Sequence, residues 1–495
     1  MTLYFDALMT LMQPSYFLVM FVCCIVGIIF GAVPGLSGGL GVSLLLPLTF
    51  GMEPTLGFAM LIGVWVGGIS GGFISATLIG IPGAPSSIAT CFDAYPMSQK
   101  GDTVRALGIG ILASFFGTSI SILVATFLSP VIADLAMKLG PWEYFSLCFC
   151  AITLVAALAK GNIFKGFIGA FIGLFLAGVG VAPLDGAYRF TFGNIYLCGG
   201  LDMVALMLGL YAIKQVIGDY AKGQQEMPEV KTGKISGFGV KITDITQNIG
   251  VIVKSFLVGL WIGFLPGMGS GLSNMLAYAQ AKSGAKDSQE YGKGHPGGIW
   301  ASETSNNASV GGAIIPMIAL GIPGDAVTAL LLSGLMIHGL QPGPLLITNN
   351  PGIAYLIFAG VMLAAFIVLL QQFVCMRWFP LLLKIPYHYL YGVILVMCFI
   401  GAYTSTNTTF NVAAMLVFAG AGILLDVAKI PTSPLVLAFI LGPKLEEYYR
   451  KGISYSNNGA LSFVTRPVSL VFLLIAAGSV MWPYIKPLLF KKKQV

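Results

Sequence analysis

GAVPGLSGGL at Gly31–Leu40 and GFLPGMGSGL at Gly263–Leu272 are two copies of one glycine-proline signature, each set in strongly apolar sequence. Downstream of each comes the same tetrapeptide, GIPG, at Gly80–Gly83 and Gly321–Gly324. Two motifs recurring in the same order predict a chain built from two related halves. Proline removes a backbone donor and glycine admits positive φ, so each copy predicts a helix that stops and another that starts. Inside apolar sequence such a break is tolerated only where protein or a wet cavity surrounds it.

The surrounding composition fixes the solvent. Of 495 residues, 57% are hydrophobic and only 9% charged, and the mean hydropathy is +0.89. Ile163–Val181 and Ile353–Leu370 are continuously apolar and rich in Gly and Ala, as packed transmembrane helices are, whereas a barrel would alternate in short segments. The expected fold is an all-α polytopic membrane protein. The net charge of +7 is scattered through short loops, which reads as a topology signal and excludes a nucleic-acid surface. Eight cysteines lie in or beside apolar stretches without CxxC pairs, so free thiols are expected, with neither disulfides nor zinc. MTLYFDALMT at the start has no basic n-region or cleavage site, which predicts a retained first helix. The isolated His295, His338 and His388 read as interfacial. No nucleophile-base pair, phosphate loop or metal spacing appears, so neither an enzyme nor a cofactor is expected.

Residues 1–217 form the first expected membrane repeat, 218–247 a cytoplasmic linker carrying Lys222, Lys231, Lys234 and Lys241, 248–450 the second repeat, and 451–495 an appended helix with the tail Lys491–Lys493. Gly140-Pro141-Trp142 parallels Ile385-Pro386-Tyr387, and Leu208-Gly209-Leu210 parallels Leu441-Gly442-Pro443. Matched loops alternate in basic content. Lys100 and Arg105 face a basic-free His338–Asn350; Lys160 and Lys165 face a basic-free Gly401–Phe410; Lys138 faces Arg377 and Lys384; a basic-free Gly51–Pro54 faces the lysines of Lys282–His295. That alternation predicts repeats of inverted topology, with linker and C-terminus cytoplasmic and the N-terminus outside. Lys444–Lys451, read as a loop, disagrees. Ser37–Phe50 is too short for a crossing and Thr103–Leu139 too long, so re-entrant hairpins are expected, together with a break near Ser129-Pro130.

Paired broken segments in corresponding positions of two repeats point to a secondary transporter's binding site. Helix starts at Pro34, Gly35, Ser37, Gly38, Gly39 and at Pro266, Gly267, Ser270, Gly271, Asn274 offer N–H groups and a positive dipole end to a carboxylate. Pro82, Gly83, Ser86 and Ser87, and Pro323 and Gly324, extend that set around the GIPG turns, where Thr90 and Asp93 also follow. Glu303, Thr304, Ser305, Asn306 and Asn307, with Asp325, supply the oxygen ligands a small hard cation such as sodium takes. Costly intramembrane polar groups mark function. The polar run also reads as an interfacial loop after Pro296, and Asp325 as a helix-start residue. An ion channel using the glycine loops as a filter is the alternative.

GAVPGLSGGLGVSLLLPLTFGMEP, GIPGAPSSIATCFDAYPMSQKGDTVRALG, FLPGMGSGLSNMLAYAQAK and ASETSNNASVGG, followed by IPMIALGIPGDAVTALLLSGLMIHGLQPGP, resemble the large membrane subunit of tripartite tricarboxylate transporters over nearly the whole chain. The resemblance implies a permease of the bacterial inner membrane working with a small four-helix membrane subunit and a periplasmic solute-binding protein. It further implies import of tricarboxylates or other organic carboxylates on a cation gradient. Two motif matches carry over by residue, the Pro34–Gly39 and Pro266–Gly271 loops and the Glu303–Asn307 run, and Asp325 stands where the first half has Ala84. The expected mechanism is elevator-like or rocking movement of the motif-bearing hairpins.

Overall fold

A computed structural model describes residues 2–158, 162–221, 237–383 and 387–489. The linker lysines Lys222, Lys231 and Lys234, the tail Lys491–Lys493, and Lys160, Lys384 and Ile385-Pro386 lie outside the described residues. The chain is an all-α polytopic membrane protein. Six helices among the described residues are long and apolar enough to cross a membrane, or seven if the pair Gly459–Thr465 and Pro467–Met481, bent by 83°, is one span. A short antiparallel ladder, Gly180–Val181 with Tyr188–Arg189, is the strand content among the described residues. All eight cysteines are free.

The contacts divide the chain into two units, each drawn from both halves of the sequence. The first comprises Met1–Ala133 and Val204–Ala419, the second Asp134–Met203 and Gly420–Val495.

Both copies of the glycine signature lie in the first unit. Helix Pro14–Ala32 runs into the first copy and packs on helix Pro54–Ile79. Their backbones touch: a methyl group on Gly31 would stand 2.2 Å from the Gly68 carbonyl oxygen, so only glycine admits this approach. Helix Ile249–Phe264 runs into the second copy and packs on Pro296–Leu320 in the same manner, with a methyl on Gly263 falling 2.4 Å from the Ser309 oxygen. After each break a new helix starts, Gly38–Leu45 in the first copy and Gly269–Gly284 in the second. Pro54 and Pro296 open the two long helices at positions where a missing N–H costs nothing. Gly80 and Gly321, the first residues of the two GIPG turns, close them in left-handed conformation at φ 71° and 69°.

Three expectations are corrected here. Thr103–Ala136 is one continuous helix through Pro130; proline removes a single donor, and neighbouring helices absorb that loss in a membrane bundle. Its 34 residues would run about 50 Å at ~1.5 Å per residue, well beyond a ~30 Å hydrocarbon core. Ser302–Asn307 is no interfacial loop, because it lies mid-way along the buried Pro296–Leu320 helix. Lys444–Lys451 is likewise no loop but part of helix Thr432–Ser454. The hydroxyl-bearing Ala84–Thr90 stretch forms a 3-10 turn, Pro85–Ser87, before helix Cys91–Gln99 begins.

The second unit packs helices Pro141–Leu158, Ile163–Ala177, Thr432–Ser454 and Pro467–Leu489. Its non-helical segment is tied to helix Thr432–Ser454 by Arg189 to Glu446 and by Arg450 to Asp185, both at 2.8 Å. The Arg450 guanidinium is the main influence holding the Asp185 carboxyl below its ordinary range.

Candidate functional site

A buried polar cluster is built on one face of Pro296–Leu320. Helical spacing stacks Glu303, Asn306 and Asn307 on that face, and all three have no exposed surface. Glu303 Oε1 accepts from Thr90 Oγ1 at 2.5 Å, and Oε2 accepts from the amides of Asn306 at 3.1 Å and Asn307 at 3.4 Å. Asn307 Nδ2 also donates to Ser114 Oγ at 3.0 Å, while its Oδ1 accepts from Ser70 Oγ at 2.9 Å and Thr118 Oγ1 at 3.3 Å. Gln372 extends the network by donating to the Ser70 carbonyl at 2.6 Å.

Among the described residues no Lys, Arg or His forms an ion pair with Glu303. A buried carboxylate without counter-charge is expensive. Beside it, Asn306 donates its amide N–H to Glu303, while its own Oδ1 is buried and makes no hydrogen bond. A charge short of an ionic partner, together with an oxygen short of a donor, is the environment a hard cation completes. Thr304 and Ser305 do not join the cluster. The Thr304 backbone oxygen faces Gly117 and that of Ser305 faces Gly259, on different neighbouring helices, and both hydroxyls are unbonded.

The second broken loop meets this cluster through Asn274. Its Oδ1 accepts the Ala89 N–H at 2.8 Å, and its Nδ2 donates to the Ser302 carbonyl at 3.1 Å and to Thr90 Oγ1 at 3.4 Å. Gly271 lies against Pro85 and Ser86 of the other half, and Gly39 lies against Val327 beyond the second GIPG turn. Each glycine signature thus borders the opposite half's GIPG segment. Gly267 N–H donates to the Gly324 carbonyl at 2.7 Å, Pro266 and Pro323 flanking that bond, and Gly83, after Pro82, donates to Gly72 at 3.2 Å. Asp93 locks the same region: its Oδ1 accepts from the N–H groups of Gly292, Gly294 and His295 at 2.8, 2.8 and 2.7 Å, and its Oδ2 from Tyr278 at 2.9 Å.

The helix starts differ in availability. Ser37 caps its own helix by accepting from Leu40 at 3.1 Å, beside Gly38, while Gln215 donates to the carbonyl of Gly35, next to Pro34, at 3.1 Å. Asp325 caps its helix as well, accepting from Thr328 N–H at 2.8 Å. Met268, at the start of Gly269–Gly284, supplies no side-chain cap. The first N–H groups of that helix, at Gly269, Ser270 and Gly271, are the ones best disposed toward an anion.

Residues beyond the sequence-derived set complete the cluster: Ser70, Ser114, Thr118 and Gln372. The Ser114/Thr118 pair at i, i+4 and the adjacent Gln371-Gln372 in otherwise apolar helices are the signals that could have flagged them. A separate cavity of about 400 Å³ belongs to the second unit and is lined by Phe145, Phe149, Leu174, Leu445, Tyr449 and the acidic Glu446. It offers no donor set for a carboxylate.

Fold and site together define an integral membrane protein with a polar, carboxylate-bearing core of the kind that marks a solute pathway. The chain belongs to the Tripartite tricarboxylate transporter TctA family, whose profile matches residues 17–437, and so to a family of transporters. It is 30% identical over 478 residues to an uncharacterized 52.8 kDa protein in the TAR-I ttuC' 3' region of Agrobacterium vitis, covering 96% of this chain and 95% of that one. An uncharacterized protein in the TAR-II ttuC' 3' region of the same organism is 31% identical over 237 residues, covering 48% of this chain and 98% of the relative. No solved structure matches the chain.

Proposed function

We propose that the chain is the permease subunit of a binding-protein-dependent secondary transporter that imports tricarboxylates or related organic carboxylates on a sodium gradient. The observation that carries this reading is Glu303: a fully buried carboxylate without an ionic partner among the described residues, beside the unbonded Oδ1 of Asn306. Sodium at that site would offset the carboxylate's burial and, in the same step, the desolvation of an anionic solute. The solute carboxylate would sit at the uncapped helix start Gly269–Gly271, within reach of Ser86 and Asn274. Asp325 has its Cβ 3.7 Å from where a Gly269 side chain would begin, so an anion there favours a second cation beside Asp325.

In this reading a periplasmic solute-binding protein delivers the solute, a small four-helix membrane subunit completes the complex in a bacterial inner membrane, and the repeats are inverted. The motif-bearing hairpins then move, elevator-like, against the more continuous helices. The test is uptake of labelled di- and tricarboxylates into proteoliposomes holding the chain with its small subunit, with and without the binding protein, under imposed sodium or proton gradients. Accumulation that needs both the binding protein and a sodium gradient supports the reading. Passive flux independent of both would replace it with a channel. Crosslinks that fix the hairpins should abolish accumulation, and unchanged accumulation would remove the moving-hairpin mechanism.

A further inference from the structure

Thr90 occupies a position that neither half of the proposed chemistry uses, yet it touches both. Its hydroxyl is fully buried and lies within hydrogen-bond reach of Glu303 Oε1 at 2.5 Å, Ser302 Oγ at 3.0 Å and Asn274 Nδ2 at 3.4 Å. A hydroxyl has one proton to give and two lone pairs to receive with. An ionised Glu303 can only accept, so it claims the Thr90 proton. Ser302 then donates to the Gly298 carbonyl at 2.9 Å, and the Thr90 oxygen is left to receive from Asn274. Neutralising the carboxylate with a cation weakens that claim and frees the Thr90 proton to turn toward Ser302.

The consequence reaches the solute side. Asn274 also holds the Ala89 N–H at 2.8 Å, and it sits one turn inside the helix whose start, Gly269–Gly271, borders Pro85 and Ser86. One hydroxyl therefore joins the buried carboxylate to the broken loop of one half and the GIPG continuation of the other. We propose that Thr90 is the positioning residue that transmits cation occupancy at Glu303 to Asn274 and so to the carboxylate-binding helix start. This inference rests on the cation reading of Glu303 given above.

The experiment titrates the purified full-length chain in detergent with sodium chloride against choline chloride at constant ionic strength. It follows thermal unfolding and, in parallel, amide exchange of the segment containing Ala89. Wild type should gain stability with sodium, and its Ala89 amide should change its exchange rate. Thr90→Val keeps the shape and removes the donor. Its sodium midpoint should weaken by about tenfold, the loss of one hydrogen bond to a charged group, and its Ala89 exchange should become insensitive to sodium. Thr90→Ser should restore both. Asn274→Ala keeps the test open should Thr90→Val not fold: its sodium midpoint must weaken too, with little further change when combined with Thr90→Val. A sodium response lost in Glu303→Gln but unaltered in both Thr90→Val and Asn274→Ala would overturn the role of Thr90 and leave the cation site standing. A wild type with no sodium response would overturn both.

Discussion

Replacing Asp93 should open the 292–295 segment far more than it disturbs anything else. The Asp93 carboxylate holds three backbone N–H groups, at Gly292, Gly294 and His295, and the Tyr278 hydroxyl. Hydrogen bonds to a charged group contribute about 1.5–3 kcal/mol each, but four such bonds on one carboxylate are not additive. Gly292 is exposed and Gly294 and His295 are half-buried, so water replaces part of what is lost. For Asp93→Ala these considerations leave about 3 kcal/mol, roughly a hundredfold rise in the opening equilibrium at ~1.4 kcal/mol per tenfold. Asp93→Asn can keep a carbonyl acceptor for the three N–H groups but loses the charge assistance and the oxygen that accepts from Tyr278, which leaves about 1 kcal/mol or roughly fivefold in the 292–295 segment. Hydrogen-exchange mass spectrometry on the peptide spanning Asp287–Gly298 reads both. If Asp93→Ala leaves exchange there unchanged, or if Asn and Ala behave alike, the clamp assigned to this carboxylate is wrong.

Gly83→Ala and Gly324→Ala should each lower thermal stability, by about 1–3 kcal/mol of overpacking, because their methyl groups would stand 2.0 Å from the Gly31 oxygen and 2.5 Å from the Gly263 oxygen. Gly478→Ala, whose methyl would meet nothing within 4 Å, should stay within about 0.5 kcal/mol of wild type in the same melting assay. Asn307→Ala should cost about 2–4 kcal/mol, since it strips partners from the Ser70, Ser114 and Thr118 hydroxyls at once; a melting curve matching wild type would contradict the network. Burial works to raise the Asp244 carboxyl, but the Arg105 guanidinium and the Lys241 N–H outweigh it and hold the group below its ordinary range. A depressed carboxyl stabilises above its unfolded pKa and loses that contribution as pH falls through the folded value. Protection of 241–246 against exchange, taken relative to the intrinsic amide rate at each pH, should therefore fall in wild type below about pH 4, where free carboxyls titrate, and Asp244→Asn should be poorly protected already at neutral pH.

How much of this was legible in sequence depends on where each signal lives. Paired glycine signatures and apolar runs are local, and they located the breaks at Pro34-Gly35 and Pro266-Gly267 correctly. For Ser302–Asn307 the sequence admits both a polar run inside the hydrophobic body and an interfacial loop, because a helix buried on every side carries no amphipathic period to set it apart from a loop; the structure has it buried within a helix. Pro130 misled because a proline predicts a break on local grounds while its neighbours in the bundle decide otherwise. The outer members of the Glu303 cluster were hidden for a different reason. Ser70, Ser114 and Gln372 come from three separate segments, and single hydroxyls and an amide in apolar helices do not say which distant polar group they face. The two units were unreadable too, because each is stitched from both halves, with chain crossings near Ala133, Met203 and Ala419 that no composition change marks.

The central claim is that Glu303 couples a cation to carboxylate movement. It is tested most directly by measuring sodium-gradient-driven accumulation of a labelled tricarboxylate in proteoliposomes holding the complete complex, with wild-type chain or Glu303→Gln, a substitution that preserves size and removes the charge. The account predicts gradient-dependent accumulation in wild type and its loss in a folded Glu303→Gln protein. Equal gradient-driven accumulation by the two would contradict it.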